Sequence, residues 1–247
     1  MSRPAPAWRA ILTLTAFELR LASRRAENLL VTLVIPVAVL VFFSSVAVLP
    51  AAARSVEVLL PGTIALGVIA TAFVSLGIAT AYERHYGVLK RLGGAPLPRG
   101  GIVVAKMLAV LAIEGVQAAL LIGIAWLGLG WRPGPGASPV IGLVALALGT
   151  AAFAGLGLAM AGRLRAEATL AVANGLFLAF LLVGGIVVPV ADLPAPIASV
   201  ASLLPAAALT ELFRLALGGA GSPGATIVLG GWAVAATLLA AIAFRWE

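Results

Sequence analysis

Five stretches of twenty or more residues without one charged side chain, at 29–49, 58–82, 139–162, 168–191 and 225–244, constrain this chain more than any other feature. A helix needs about 20 apolar residues to cross a hydrocarbon core of roughly 30 Å. In that medium every backbone N–H and C=O must be satisfied within the structure itself, so a run of this kind is read as a spanning helix. A sixth run, 102–130, meets the same length while carrying Lys106 at its start and Glu114 inside it. The expected fold is therefore an all-α integral membrane protein with six transmembrane helices, one transmembrane domain over 1–247.

Composition supports the bilayer and removes several kinds of chemistry. With 62% hydrophobic and 10% charged residues, a water-soluble globule would lack the polar surface to cover itself. There is no cysteine and one histidine, which excludes a thiolate nucleophile, a Cys-ligated metal and a His-rich metal centre, so no metal site and no catalytic residue are expected. The formal charge of +7 comes from basic residues lying between apolar runs, which suits anionic lipid heads rather than nucleic acid.

Orientation follows from lysine and arginine, which cytoplasmic loops retain in excess. With the N-terminus inside, thirteen of the sixteen basic residues fall on inner segments, and only Arg54, Arg132 and Arg214 on outer ones. Both termini are then cytoplasmic. Trp8 and Trp246 fall at the inner boundary, Trp126 and Trp131 at the outer, where indoles anchor. The excess of arginine and alanine is that of a GC-rich bacterial genome, so a bacterial inner membrane is expected. The first 28 residues carry seven charges, so no cleaved leader is expected.

Two further segments flank the spans. Residues 7–27 interleave Ile11, Leu14, Phe17 and Leu21 with Arg9, Glu18, Arg20 and Arg24, the pattern of an amphipathic helix lying in the inner interface. Residues 192–222 are apolar but cut by Pro194, Pro196 and Pro205 into pieces too short to cross, which fits short re-entrant helices on the outer side, with a plain external loop as the alternative.

Between the second and third spans lies "YERHYGVLKRLGGAPLPRGG", residues 82–101. Its first half suits a short cytoplasmic helix over 83–93, with Val88, Leu89 and Leu92 set against Arg84, Lys90 and Arg91, ended by Gly93, Gly94, Pro96 and Pro98. An apolar ridge with cationic flanks is suited to a groove on another protein. A basic loop that merely anchors topology is the plainer reading.

These residues resemble the loop between spans two and three of type-2 ABC exporter permeases. Glu83, Arg84, Gly87, Leu89, Arg91, Leu92, Pro96, Leu97, Arg99 and Lys106 match that family's pattern, and Pro189, Leu193, Pro194, Pro205, Arg214, Gly218 and Gly219 match its pattern before the last span. His85, Tyr86 and Val88 depart from it, as does the Gly93–Gly94 pair. The resemblance implies the membrane half of an ATP-driven exporter. Its coupling helix, with Glu83, Arg84, Gly87, Val88, Leu89, Lys90, Arg91 and Leu92, would contact a cytosolic ABC ATPase subunit, and a second permease subunit would complete a homodimer or heterodimer. No G-x-x-x-x-G-K-[ST] motif occurs, so this chain binds no cofactor of its own and the partner is expected to use ATP and Mg.

Inside the membrane, Glu114 lies twelve residues beyond Ile102, roughly 18 Å deep at 1.5 Å per residue. A charge there costs about 2.5 kcal/mol or more, so it should face the bundle or a cavity. Gln117 follows near the same face. Two readings stand open: a polar contact for substrate or gating, or a hydrogen bond to Ser, Thr or Asn174 that ties helices together. The predicted lining is mostly Ala, Val, Leu and Gly, which favours a hydrophobic or amphiphilic cargo, drug-like or lipid-like. A secondary transporter or channel is the rival from another class, though such proteins bury several ionisable groups or paired broken helices and this chain has one acid and one broken region. An intramembrane enzyme ranks last, since no nucleophile–base or paired-carboxylate set occurs in the spans.

Overall fold

The computed structural model describes residues 6–24, 26–46, 55–92 and 99–243. Helix α1 (Ala7–Arg24) carries its polar and apolar residues on different faces and ends where Arg24 sits beside the helix's own C-terminal carbonyls. Thr15 is buried toward α6 (Arg99–Gly128), its Oγ1 donating to Ile11 O at 2.9 Å and lying 3.3 Å from Ala105 O. Trp8, Leu12 and Phe17 stay exposed. The helix thus seats on the bundle by one side and leaves large apolar groups free on another.

Helix α2 (Ala26–Ser45) starts three residues earlier than the expected span at 29–49 and contains Pro36. Residues 47–49 of that expectation lie outside the described residues. From residue 29 to its end at Ser45, α2 carries no charged side chain. Counting α2 as the first rod, five more among the described residues are long and apolar enough to cross: Val56–His85, Gly100–Gly128, Pro139–Arg163, Ala166–Val183 and Ala225–Ala243. No strand occurs among the described residues.

The second rod combines α3 (Val56–Val68), a π-helical segment (Ile69–Ser75) and α4 (Leu76–His85), two residues longer at its start and three at its end than 58–82. A π segment inserts extra backbone into each turn and so re-aims the side chains that follow it. The chain then passes through α5 (Val88–Leu92) into α6. Helix α7 (Pro139–Arg163) begins with Ser138 accepting from Ile141 N at 3.4 Å and with Pro139 in the first turn, where its missing N–H costs nothing.

Helix α8 is the clearest departure in extent. It runs Ala166–Val183 and stops eight residues short of the expected 168–191, because the Gly184–Gly185 pair ends it and the chain turns inward at buried Ile186. After a 3-10 turn (Val190–Asp192), α9 (Ala195–Ala201) and α10 (Pro205–Ala216) meet at 82°. Pro194 precedes α9 with φ −52° and ψ 137°, Leu204 precedes α10 in extended conformation, and a proline falls in the first turn of each helix. Helix α10 is not peripheral. Leu209, Leu212 and Phe213 are buried, and it packs against α3 and α7. Helix α11 (Ala225–Ala243) closes the bundle against α7.

Lipid tails are as apolar as the side chains, so helices in a bilayer associate mainly by close packing of small residues. Gly155, within the Ala151–Gly155–Ala159 stripe of α7, lies so near α11 that a Cβ there would come within 2.7 Å of the Ala236 carbonyl carbon. Two residues on, on the opposite side of α7, Gly157 would put its Cβ 2.8 Å from Phe73 O of the π segment. Phe73, Phe153 and Phe180 meet edge to face, with centroids 5.6–6.4 Å apart, and lock the π segment, α7 and α8 together.

Candidate functional site

On the side of the bundle that holds α5, the chain makes a sharp turn at Tyr86–Gly87. Gly87 has φ +70°, a left-handed backbone that suits glycine, and its N–H donates to Arg84 O at 3.0 Å. The helix expected over 83–93 is therefore two pieces. Glu83, Arg84 and His85 finish the second rod, and only Val88–Leu92 forms the separate helix.

That break sorts the expected partner-facing residues. Glu83 turns inward to Lys106 of α6, whose Nζ lies 3.0 Å from Oε1 and 2.9 Å from Oε2, and the same Nζ reaches Glu18 Oε1 of α1 at 2.8 Å. Lys106 is 4% exposed. A buried ammonium needs such pairing, because stripping water from an unpaired charge costs several kcal/mol. Three helices, α1, α4 and α6, are thus held at one atom. A cavity of about 160 Å³ borders this cluster, with Thr71 and Ser75 of the π segment on its wall.

Arg84 also faces inward. Its Nη1 donates to Gly162 O and its Nη2 to Leu164 O, both at 2.5 Å. These are carbonyls at the end of α7, where the helix leaves acceptors unsatisfied and favours positive charge. Outward remain His85, Tyr86, Val88, Lys90 and Arg91, while Leu89 is 1% exposed and anchors α5 to the bundle. Tyr86 stacks on Tyr82, and His85 meets the Tyr86 ring edge-on. The apolar ridge is therefore divided, Val88 outward and Leu89 inward. Pro96 and Leu97 of the loop lie outside the described residues.

The membrane-depth polar trio is taken apart by the structure. Glu114 is 1% exposed on α6 and accepts a hydrogen bond from Thr150 Oγ1 of α7. Its Oε1 has no hydrogen-bond partner among the described residues. Gln117, also buried, turns to α2 and donates from Nε2 to Thr32 O at 2.8 Å, resting on Gly67 of α3. Asn174 joins neither. It is exposed on α8 and donates to Leu170 O of its own helix at 3.0 Å. In the 192–222 region, Arg214 pairs with Glu211 at 2.5 Å, and Glu211 Oε2 accepts from Ser222 N at 3.2 Å.

In the sequence Lys106 stands as a tolerated charge at a span's start and as part of the family pattern, without a partner inside the chain. The signal for more was present: a lysine inside an apolar run, with lone acids at Glu18 and Glu83 on segments of the same side. Among the described residues no group of three His, Cys, Asp or Glu side chains gathers as a metal site.

A helical bundle with five or six membrane-capable helices, and a short basic helix joining the second and third long rods, is the architecture of a multi-pass membrane protein. The chain belongs to the ABC-2 type transporter family, whose sequence model matches residues 9–217. No curated protein matches it. It is a membrane-spanning permease subunit, a transport component rather than a catalyst, in a family that implies an ABC ATPase partner.

Proposed function

We propose that this permease works in an ATP-driven exporter, moving an amphiphilic or hydrophobic molecule out of the cytoplasm, with the force supplied by a separate ATPase subunit gripping α5. The observation that carries the reading is the split at Gly87. Val88, Lys90 and Arg91 present one apolar and two cationic groups outward, while Glu83 and Arg84 fasten the same segment inward to α1, α6 and α7. A push on α5 would reach three helices through short, charge-assisted bonds, which hold geometry better than dispersion contacts.

A cavity of about 520 Å³ between α2, α4 and α8, lined by Thr32, Ser75, Tyr82 and Glu83 among apolar groups, supports an amphiphilic cargo. ATP and Mg would act in the partner. A second permease subunit would face this one across the pathway, and both termini would lie on the α5 side, the cytoplasmic side of a bacterial inner membrane.

The test is charge reversal of the outward pair, Lys90→Glu with Arg91→Glu, in the reconstituted complex. Substrate-stimulated ATP hydrolysis is expected to fall at least tenfold with the permease still folded and inserted. Undiminished stimulation would remove α5 as the docking element.

A further inference from the structure

A second cavity, of about 430 Å³, lies on the side away from α5, between α6, α7 and the end of α10. Its size is that of a small-molecule site, about 300–1,000 Å³. Gly115, Ala118 and Ala119 of α6 and Gly142 of α7 form its walls, and small side chains at these places are what make the surface concave. Leu143 both lines it and is 67% exposed, with Val116 and Val140 exposed on the same two helices, so the cavity is a groove open sideways to the bilayer.

The groove is built in advance rather than shaped by a ligand. The loop over its outer end is bolted to α10, with Gly134 N donating to Leu217 O at 3.0 Å and Ser138 N donating to Ala216 O at 2.8 Å. Gly134 and Gly218 approach so closely that a Cβ on either would meet the other's backbone within 2.6 Å. At the same end sits one cation. Arg132 is exposed, stands between the lining residues Trp131 and Pro133, and holds its guanidinium 5.5 Å from the Trp126 ring centroid. Glu211, on the helix that supplies Phe213 to the lining, is already paired with Arg214 and offers no opposing free charge.

We propose that this groove binds one acyl chain of an anionic phospholipid from the leaflet away from α5, with the lipid phosphate at Arg132. The pairing of a dry, laterally open trough with a cation held at interface level by an indole matches an amphiphile with an anionic head. It does not depend on the export reading, because it concerns lipid held by the permease alone.

The experiment uses the purified full chain in detergent, exposed to phosphatidylglycerol or phosphatidylethanolamine of matched acyl chains, with bound lipid counted by native mass spectrometry. Phosphatidylglycerol is expected to be retained about fivefold more strongly, the effect of one basic residue at an anionic surface, and Arg132→Gln should erase that difference. A Cβ at Gly115 meets nothing within 4 Å, so Gly115→Leu should fold and fill the groove, losing both lipids. Gly230→Leu, equally free of neighbours but outside the groove, should retain them. Equal retention of the two lipids by the unmodified chain, or unchanged retention in the Arg132 and Gly115 variants, overturns the proposal. So does a shift from dimer to monomer in Gly115→Leu, which would make the groove a contact between copies.

Discussion

At the scale of single residues, the cytoplasm-facing chemistry expected of this chain turns on which way four charges point. Glu83 and Arg84 belong to a run of polar residues, and sequence alone treats that run as a solvated, partner-facing surface. The structure makes them internal fasteners, because Lys106 is a buried donor and the carbonyls at the end of α7 are acceptors that must be matched. Replacing Lys106 by Met leaves two carboxylates facing each other without their shared cation. The expected cost is about 3 kcal/mol, the lower end for breaking a buried pair since both acids keep some solvent contact. Unfolding in detergent would measure it, and Glu83→Gln in the same background should recover part of the loss. If Lys106→Met is as stable as the parent chain, the cluster is not a structural tie.

At the scale of elements, two places where helices depart from regularity position the site. The left-handed turn at Gly87 detaches α5 from the second rod, and the π segment brings Phe73 O against Gly157 of α7. That second contact leaves no room for a side chain, since the obstructing atoms are backbone. Gly157→Val should therefore force α7 off the π segment, destabilising the bundle by about 3 kcal/mol. Gly175→Val on α8, where a Cβ meets nothing within 4 Å, serves as the comparison and should leave thermal stability in detergent unchanged. Equal melting temperatures for the two variants would show that the approach of α7 to the π segment is loose. Neither feature was legible beforehand. A glycine in an apolar run looks the same whether it faces a backbone or lipid, and a π turn has no distinct composition.

For the whole molecule, membership of the ABC-2 type transporter family makes the identity of the companion the decisive question. Purification of the tagged chain in mild detergent from its native membrane is expected to bring down a P-loop ATPase in near-equal amount, lost on Lys90→Glu with Arg91→Glu. Transport by the permease alone, with no nucleotide-hydrolysing companion, would favour the secondary-transporter reading. Much of the architecture was readable from the start because a bilayer tests a one-dimensional property, the length of uninterrupted apolar chain. The expected span at 168–191 runs through Gly184 and Gly185, where α8 has already ended, because hydropathy does not register a helix end.

The sequence by itself determined the kind of solvent this protein lives in, the approximate extent of its long rods, and the motifs that align it with its family. Tertiary structure alone decided which charges serve the fold and which stay exposed. The reason is distance along the chain: Lys106 meets Glu18 across 88 residues and Arg84 meets Gly162 across 78, and nothing local in either segment records the other's presence.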